Sequence, residues 1–171
     1  MLKKIKADYV IVEMDTYGGV LTDAKEIVDL IMDFKKPIWV YINSDAASAG
    51  ALISIACDSI YMSPGASIGA ATVVEGSGGQ AAPDKYQSYM RSIMRATGGR
   101  KRPGTHASLK EWWMRKSLLT ASSRRGKVIT FTTTEAIKYG YCEAKVQSIE
   151  EILKRNKVND YTIEYFHLRR D

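Results

Sequence analysis

The sequence predicts an α/β fold built on a mainly parallel sheet, and three observations carry that expectation. Apolar, β-branched runs of strand length alternate with segments of helical periodicity. Three such runs and two intervening helices fit within residues 7–64, a spacing that suits right-handed crossover units. Glycine or proline punctuates the junctions at Gly18-Gly19, Pro37 and Pro64.

Taken in order, ADYVIVEMD (7–15) is a nearly continuous apolar run, expected as a buried strand, and TYGG (16–19) is its turn. In LTDAKEIVDLIMDFKK (21–36), Ile27, Leu30, Ile31 and Phe34 recur at i, i+3, i+4 and i+7, one face of a helix. Thr22 or Asp23 stands where a cap belongs, Lys35-Lys36 complements the C-terminal dipole end, and Pro37 stops the helix. PIWVYIN (37–43) reads as the second strand, SAGALISIAC (48–57) as the second helix and SIYMSP (59–64) as the third strand. After Pro64 the chain turns small and irregular, then DKYQSYMRSIMRAT (84–97) sets Tyr86, Tyr89, Met90, Ile93 and Met94 along one helical side. TTEAIKYGYCEAKVQSIEEILKR (133–155) predicts a short helix ending at Gly140, a strand near 143–147 and a closing helix; YTIEYFHL (161–168) alternates weakly, as an edge strand would.

Composition narrows the function classes. A chain of 171 residues with 45% apolar and 26% charged residues fits one soluble domain with a real core. Cys57 and Cys142 are too few and too separated for a disulfide framework or a zinc site, and His106 and His167 form no ligand pair, so neither metal nor cofactor is expected. No signal-peptide pattern opens the chain, and the longest apolar run, Ala46 to Cys57, falls short of the roughly 20 residues that span a bilayer. The net charge of +6 is concentrated: residues 98–127 hold nine Lys or Arg against one Glu, so the rest of the chain carries −2. That basic stretch, with Trp112-Trp113, is read first as a solvated loop. An out-of-frame stretch between two in-frame flanks is the second reading, ahead of nucleic-acid binding, and no nucleic-acid partner is expected.

Active sites of parallel α/β sheets form where strand C-termini meet helix N-termini. Two crests satisfy this: Gly18-Gly19 after the first strand, and Ala47-Ser48-Ala49-Gly50 after the second. Ser48 at the mouth of an apolar helix is either a cap or a nucleophile whose oxyanion would meet unpaired N–H groups. A nucleophilic serine needs a base. Neither histidine has supporting context, whereas lysine serves when it is held neutral. Lys85 stands at a predicted helix start, where a solvated surface charge is the plainer reading. GSGGQA (76–81) matches a dinucleotide fingerprint but lacks the acidic residue that belongs about 20 residues on, and is treated as chance.

DTYGG (15–19), SDAASAGALISIACDSIYMSPGASIGAATVV (44–74), PDKYQSY (83–89) and TTTEAIKYGYCEA (132–144) resemble the ClpP-class serine protease domain of NfeD-type membrane proteins, related to signal peptide peptidase A and more distantly to ClpP and crotonases. The resemblance covers most of residues 7–97 and 128–155. It implies a ClpP/crotonase-like fold of repeated β-α units and a Ser-Lys dyad. Ser48 matches the nucleophile and Lys85 the general base; Gly18, Gly19 and Ala49 match the oxyanion hole, and Ser67, Ile68 and Gly69 the substrate cleft. Tyr17 stands where the family turn usually has proline, residues 98–127 are unlike the family, and the family's first strand and helix are expected to be missing, leaving an exposed sheet edge.

The function this implies is serine endopeptidase action on apolar segments of membrane-associated proteins. A catalytically inactive scaffold or partner-binding module of the same fold is the alternative, and the carboxylate chemistry of crotonases fits less well. A homo-oligomer, dimer or higher, is expected. The parent protein is expected to be membrane-anchored, with this domain on the periplasmic or extracytoplasmic side.

Overall fold

The computed structural model describes residues 6–70, 73–75, 80–99 and 130–166. The basic stretch 98–127, apart from its first two residues, lies outside them, as do His106 and His167. Along the described chain run β1 (Val10–Thr16), α1 (Leu21–Asp33), β2 (Ile38–Ala47), α2 (Ala49–Ala56), β3 (Ser59–Met62) and β4 (Ser67–Gly69). They are followed by the short strands β5 (Val74–Glu75) and β6 (Gln80–Ala81), then α3 (Asp84–Gly99), β7 (Thr130–Thr132), α4 (Thr133–Lys138), β8 (Ala144–Lys145) and α5 (Ile149–Arg155).

The sheet is mainly parallel and organised around β2. Along its whole length β2 has β1 on one edge, in parallel register from Val10 opposite Ile38 to Thr16 opposite Ala46. On the other edge it changes partner, pairing Trp39–Ile42 with Ser59–Met62 of β3 and then Asp45–Ala47 with Ser67–Gly69 of β4, both parallel. A strand that changes neighbour halfway forces the sheet to curl. The ladder carries a bulge there: two steps of β1 from Met14 to Thr16 span four of β2 from Ile42 to Ala46. β7 closes β4 antiparallel, and β8 extends β3.

Both faces of β2 are covered, which explains why PIWVYIN is apolar without alternation. Ile38, Val40 and Ile42 point into the larger core with Val28, Ile31, Leu52, Ile60, Met62 and Met90. Trp39 and Tyr41 point the other way, onto Tyr61, Val146, Ile152 and Leu153 beneath α5. The two tyrosines bring polar tips into that second cluster and both are partnered: Tyr41 donates its hydroxyl to the Gln147 carbonyl, and Tyr61 Oη accepts from Asn156 Nδ2 at 2.9 Å.

Several sequence expectations need correction. The buried stripe of α1 is Ala24, Val28, Ile31 and Met32, whereas Ile27 and Leu30 are exposed; the amphipathic face is turned from the expected one. Its cap position is Val20, and Thr22 and Asp23 lie inside the first turn. On α3, Met90 is buried and Ile93 and Met94 pack against the core, but Tyr86 and Tyr89 face solvent. Residues 161–166 form no strand, and Ile163 packs against the second cluster. The expected short helix is α4, closed by a capping box between Thr132 and Glu135 and ended by Gly140 at φ 75°.

Candidate active site

The carboxyl ends of β1, β2 and β4 lie side by side, and the site is assembled where they stop. β2 runs through Ala47 with no intervening loop, so Ser48 is the single residue between strand and helix α2. Its backbone has φ 53° and ψ −109°, a region that non-glycine residues rarely occupy and that costs of order 1–3 kcal/mol. The surrounding structure enforces it: Ser48 N donates to the Gly69 carbonyl at 2.8 Å, and its own carbonyl accepts from Leu52 N as the helix begins. The side chain makes no capping bond. A sharp strand-to-helix turn with a strained serine at its apex is the geometry of a nucleophile elbow, and the plain capping reading of Ser48 is removed.

Gly50 explains the small residues around that serine. A Cβ there would stand 2.6 Å from Thr16 Cγ2, so only glycine lets the first turn of α2 pass across the end of β1. Thr16 also holds the neighbouring crest, since its Oγ1 donates to the Gly18 carbonyl at 3.0 Å and accepts from Gly18 N at 3.2 Å. Gly18, at φ 138°, lies against the serine: a Cβ on it would come within 3.2 Å of Ser48 Cβ and 3.7 Å of Ser48 Oγ.

The five residues expected at the nucleophile, the base and the oxyanion hole are therefore partly brought together. Gly18, Gly19, Ser48 and Ala49 share one crest, with a Cβ on Gly19 reaching 3.9 Å from Ala49 Cβ. The Gly18 N–H is engaged by Thr16, whereas Gly19 N and Ala49 N have no acceptor among the described residues. Ala49 is the first residue of α2, where the dipole end adds partial positive charge. Lys85 sits in the first turn of α3, exposed, its ammonium 4.9 Å from the centroid of the Tyr86 ring. Among the described residues no hydrogen bond joins it to Ser48.

The expected cleft residues are redistributed. Ile68 is buried in the core, and Ser67 Oγ donates to Asp45 Oδ1 at 2.5 Å, because β4 is an interior strand with β2 on one edge and β7 on the other. These two support the site from behind. Gly69 contacts it directly, through the carbonyl that holds Ser48, and is followed by Ala70 at φ 51°.

Three supporting residues escaped the sequence reading. Thr16 was visible as a hydroxyl residue at a turn, the usual source of a local side-chain-to-backbone bond. Thr133 left no local signal; its hydroxyl donates to the Ser63 carbonyl and its N–H to the Ala66 carbonyl, pinning α4 under the β3–β4 turn. Gln87 left none either. It clamps the start of α3, accepting from Val73 N at 3.0 Å and donating to the carbonyls of Val73 and Ala82.

A curled, mainly parallel α/β sheet with a serine elbow beside a glycine turn defines the ClpP/crotonase-like class. Within it the chain belongs to the NfeD1b N-terminal domain family, whose profile matches residues 2–166. It is 31% identical over 153 residues to the membrane protein NfeD1b of Bacillus subtilis, covering 90% of this chain and 35% of that one. It is 31% identical over 157 residues to the membrane-bound protease PH1510 of Pyrococcus horikoshii, covering 88% of this chain and 33% of that one. The chain thus spans about a third of the length of these relatives. Among solved structures, the 1510-N membrane-bound stomatin-specific protease superposes with a TM-score of 0.67 at 29% identity. One such structure is a lysine-to-alanine variant in complex with a substrate peptide (86% of this chain, 65% of that one), another a serine-to-alanine variant (87% and 69%). An enoyl-CoA hydratase/isomerase of Acinetobacter baumannii, at 14% identity and TM-score 0.52, shares the fold alone. Among the described residues no helix is long and apolar enough to cross a membrane.

Proposed function

We propose that this chain is a serine endopeptidase domain in which Ser48 is the nucleophile and Lys85 the general base. The observation that carries the reading is the strained φ of Ser48 at a strand-to-helix elbow, with unpaired N–H groups of Gly19 and Ala49 beside it. Ser48 Oγ attacks the scissile carbonyl while its proton passes to the neutral amine of Lys85. The oxyanion is met by Gly19 N and Ala49 N, with Gly18 shaping the hole against Ser48 rather than donating. The leaving amine takes the proton back from Lys85, and a water activated by the same amine hydrolyses the acyl ester.

The exposed position of Lys85 sets a condition on this chemistry. A lysine base must be uncharged, and a peptide laid over the first turn of α3 would shield it from water. Likeness to a protease that is bound to a substrate peptide and named as stomatin-specific supports a peptide substrate, and we read its class as apolar segments of membrane-associated proteins. A second reading, a non-catalytic peptide-binding module, is favoured by the same exposure of Lys85. We place the parent protein at a membrane with this domain on the extracytoplasmic side, and read the domain as a homo-oligomer.

Cleavage of apolar fluorogenic peptides by the wild-type chain, Ser48→Ala and Lys85→Ala decides between the two. The protease reading expects turnover in the wild type that falls at least a hundredfold in both variants. Peptide binding without turnover in all three would leave the binding module.

A further inference from the structure

We infer that Asp45 is the positioning residue of the nucleophile: its carboxylate, by holding Ser67, fixes the last rung of the β2–β4 ladder and so keeps Ser48 at the elbow. Aspartate is unfavourable within a strand, yet Asp45 stands half-buried inside β2 on the approach to Ser48. Among the described residues no cation pairs with it. Its two oxygens accept from hydroxyls instead, Oδ1 from Ser67 at 2.5 Å and Oδ2 from Ser44 at 3.2 Å. The Ser67 bond has the length of a charge-assisted O–H···O⁻ contact, and among the described residues no other side-chain bond joins β4 to β2.

The tether acts one ladder step from the nucleophile. In the parallel register Asp45 stands opposite Ser67 and Ala47 opposite Gly69. Just beyond that pair Ser48 N donates to the Gly69 carbonyl at 2.8 Å, the bond that holds the elbow. β4 has only three residues, so few rungs resist its displacement along β2. Strain meets at that last bond from both sides, with Ser48 at φ 53° and Ala70 at φ 51°. Relaxation at Ser48 turns the peptide that donates, and relaxation at Ala70 turns the peptide that accepts. A charge-assisted tether two residues back along both strands opposes the two motions. A charged residue set against the local strand preference, at this place, is where a functional demand overrides propensity.

What the tether does for chemistry rests on Ser48 being the nucleophile proposed above, and two readouts keep them apart. Amide hydrogen exchange at residue 48 is measured by NMR in the wild type, Asp45→Ala, Ser67→Ala, their double variant and Asp45→Asn, with the amides of Ile38–Ile42 as internal reference. The same chains are labelled with a fluorophosphonate. The tether predicts exchange at residue 48 at least about tenfold faster in each alanine variant, no faster again in the double variant, and unchanged at Ile38–Ile42. Asp45→Asn keeps an oxygen that accepts from Ser67 and restores slow exchange. Labelling of Ser48 falls roughly tenfold in the alanine variants and recovers in Asp45→Asn. Ser67→Ala removes a hydroxyl and no charge, so it carries the test if Asp45→Ala does not fold. Unchanged exchange at residue 48, equal acceleration across β2, an unrescued Asp45→Asn, or labelling that the alanine variants leave unchanged overturns the inference. A wild type that is never labelled, with the exchange pattern intact, contradicts the protease reading and leaves the tether standing.

Discussion

Gly18 and Ser48 are packed backbone to side chain: a single methyl on Gly18 would sit 3.2 Å from Ser48 Cβ and 3.7 Å from its hydroxyl oxygen. Gly18 also has φ 138°, which L side chains rarely adopt. Gly18→Ala is expected to lower kcat/KM for peptides by roughly a hundredfold, by displacing the crest from the nucleophile, and to destabilise the fold by about 1–3 kcal/mol. Steady-state kinetics with urea titration checks both.

Gly50 and Thr16 make a tighter contact, and it yields a double-mutant test. Gly50→Ala forces a methyl to 2.6 Å from Thr16 Cγ2 and is expected to cost about 1–3 kcal/mol of stability. Thr16→Ser deletes that methyl while keeping the hydroxyl that ties Gly18. The pair should therefore recover at least about 1 kcal/mol relative to the sum of the single effects, as measured by denaturant midpoints.

The strain at Ser48 predicts a trade between stability and activity. Ser48→Gly relieves a φ of 53° and should stabilise the fold by about 0.4–1 kcal/mol, while Ser48→Ala, still held at positive φ, should not. Both abolish the proposed nucleophile. Differential scanning calorimetry of the two variants against wild type reads the difference.

Burial pushes the Cys142 thiol up to about 11. The unfolded thiol ionises near 9, so between those values the unfolded chain holds fewer protons than the folded one and stability falls as pH rises. The loss on going from pH 9 to 11 is about 2 kcal/mol from this group, and it becomes negligible below about pH 8. Cys142→Ala should flatten that alkaline limb in melting temperature against pH; the buried Tyr61, also raised by desolvation, acts in the same direction and remains.

How much was legible in the sequence follows from where the determinants lie. The strands could be read because β2 and β3 are buried on both faces and their apolar runs record that directly. Ser48 and the glycines were visible because tight backbone approach demands small residues. The rotation of the α1 stripe was not, since Ile27 and Val28 are equally apolar and only the curl of the sheet decides which one faces it. The interior position of β4 was hidden for the same reason: three residues, Ser67–Gly69, carry no sign that β7 arrives from more than sixty residues away. The solvent exposure of Lys85 and Tyr86 depends on how α3 is clamped by Gln87, a contact with no local signature.

The most direct test of the central claim is covalent labelling of the intact 171-residue chain with a fluorophosphonate, mapped by mass spectrometry. The account predicts one modified residue, Ser48, with labelling that fails in Lys85→Ala. An unmodified Ser48 in folded wild-type protein, or labelling that Lys85→Ala leaves unchanged, contradicts it.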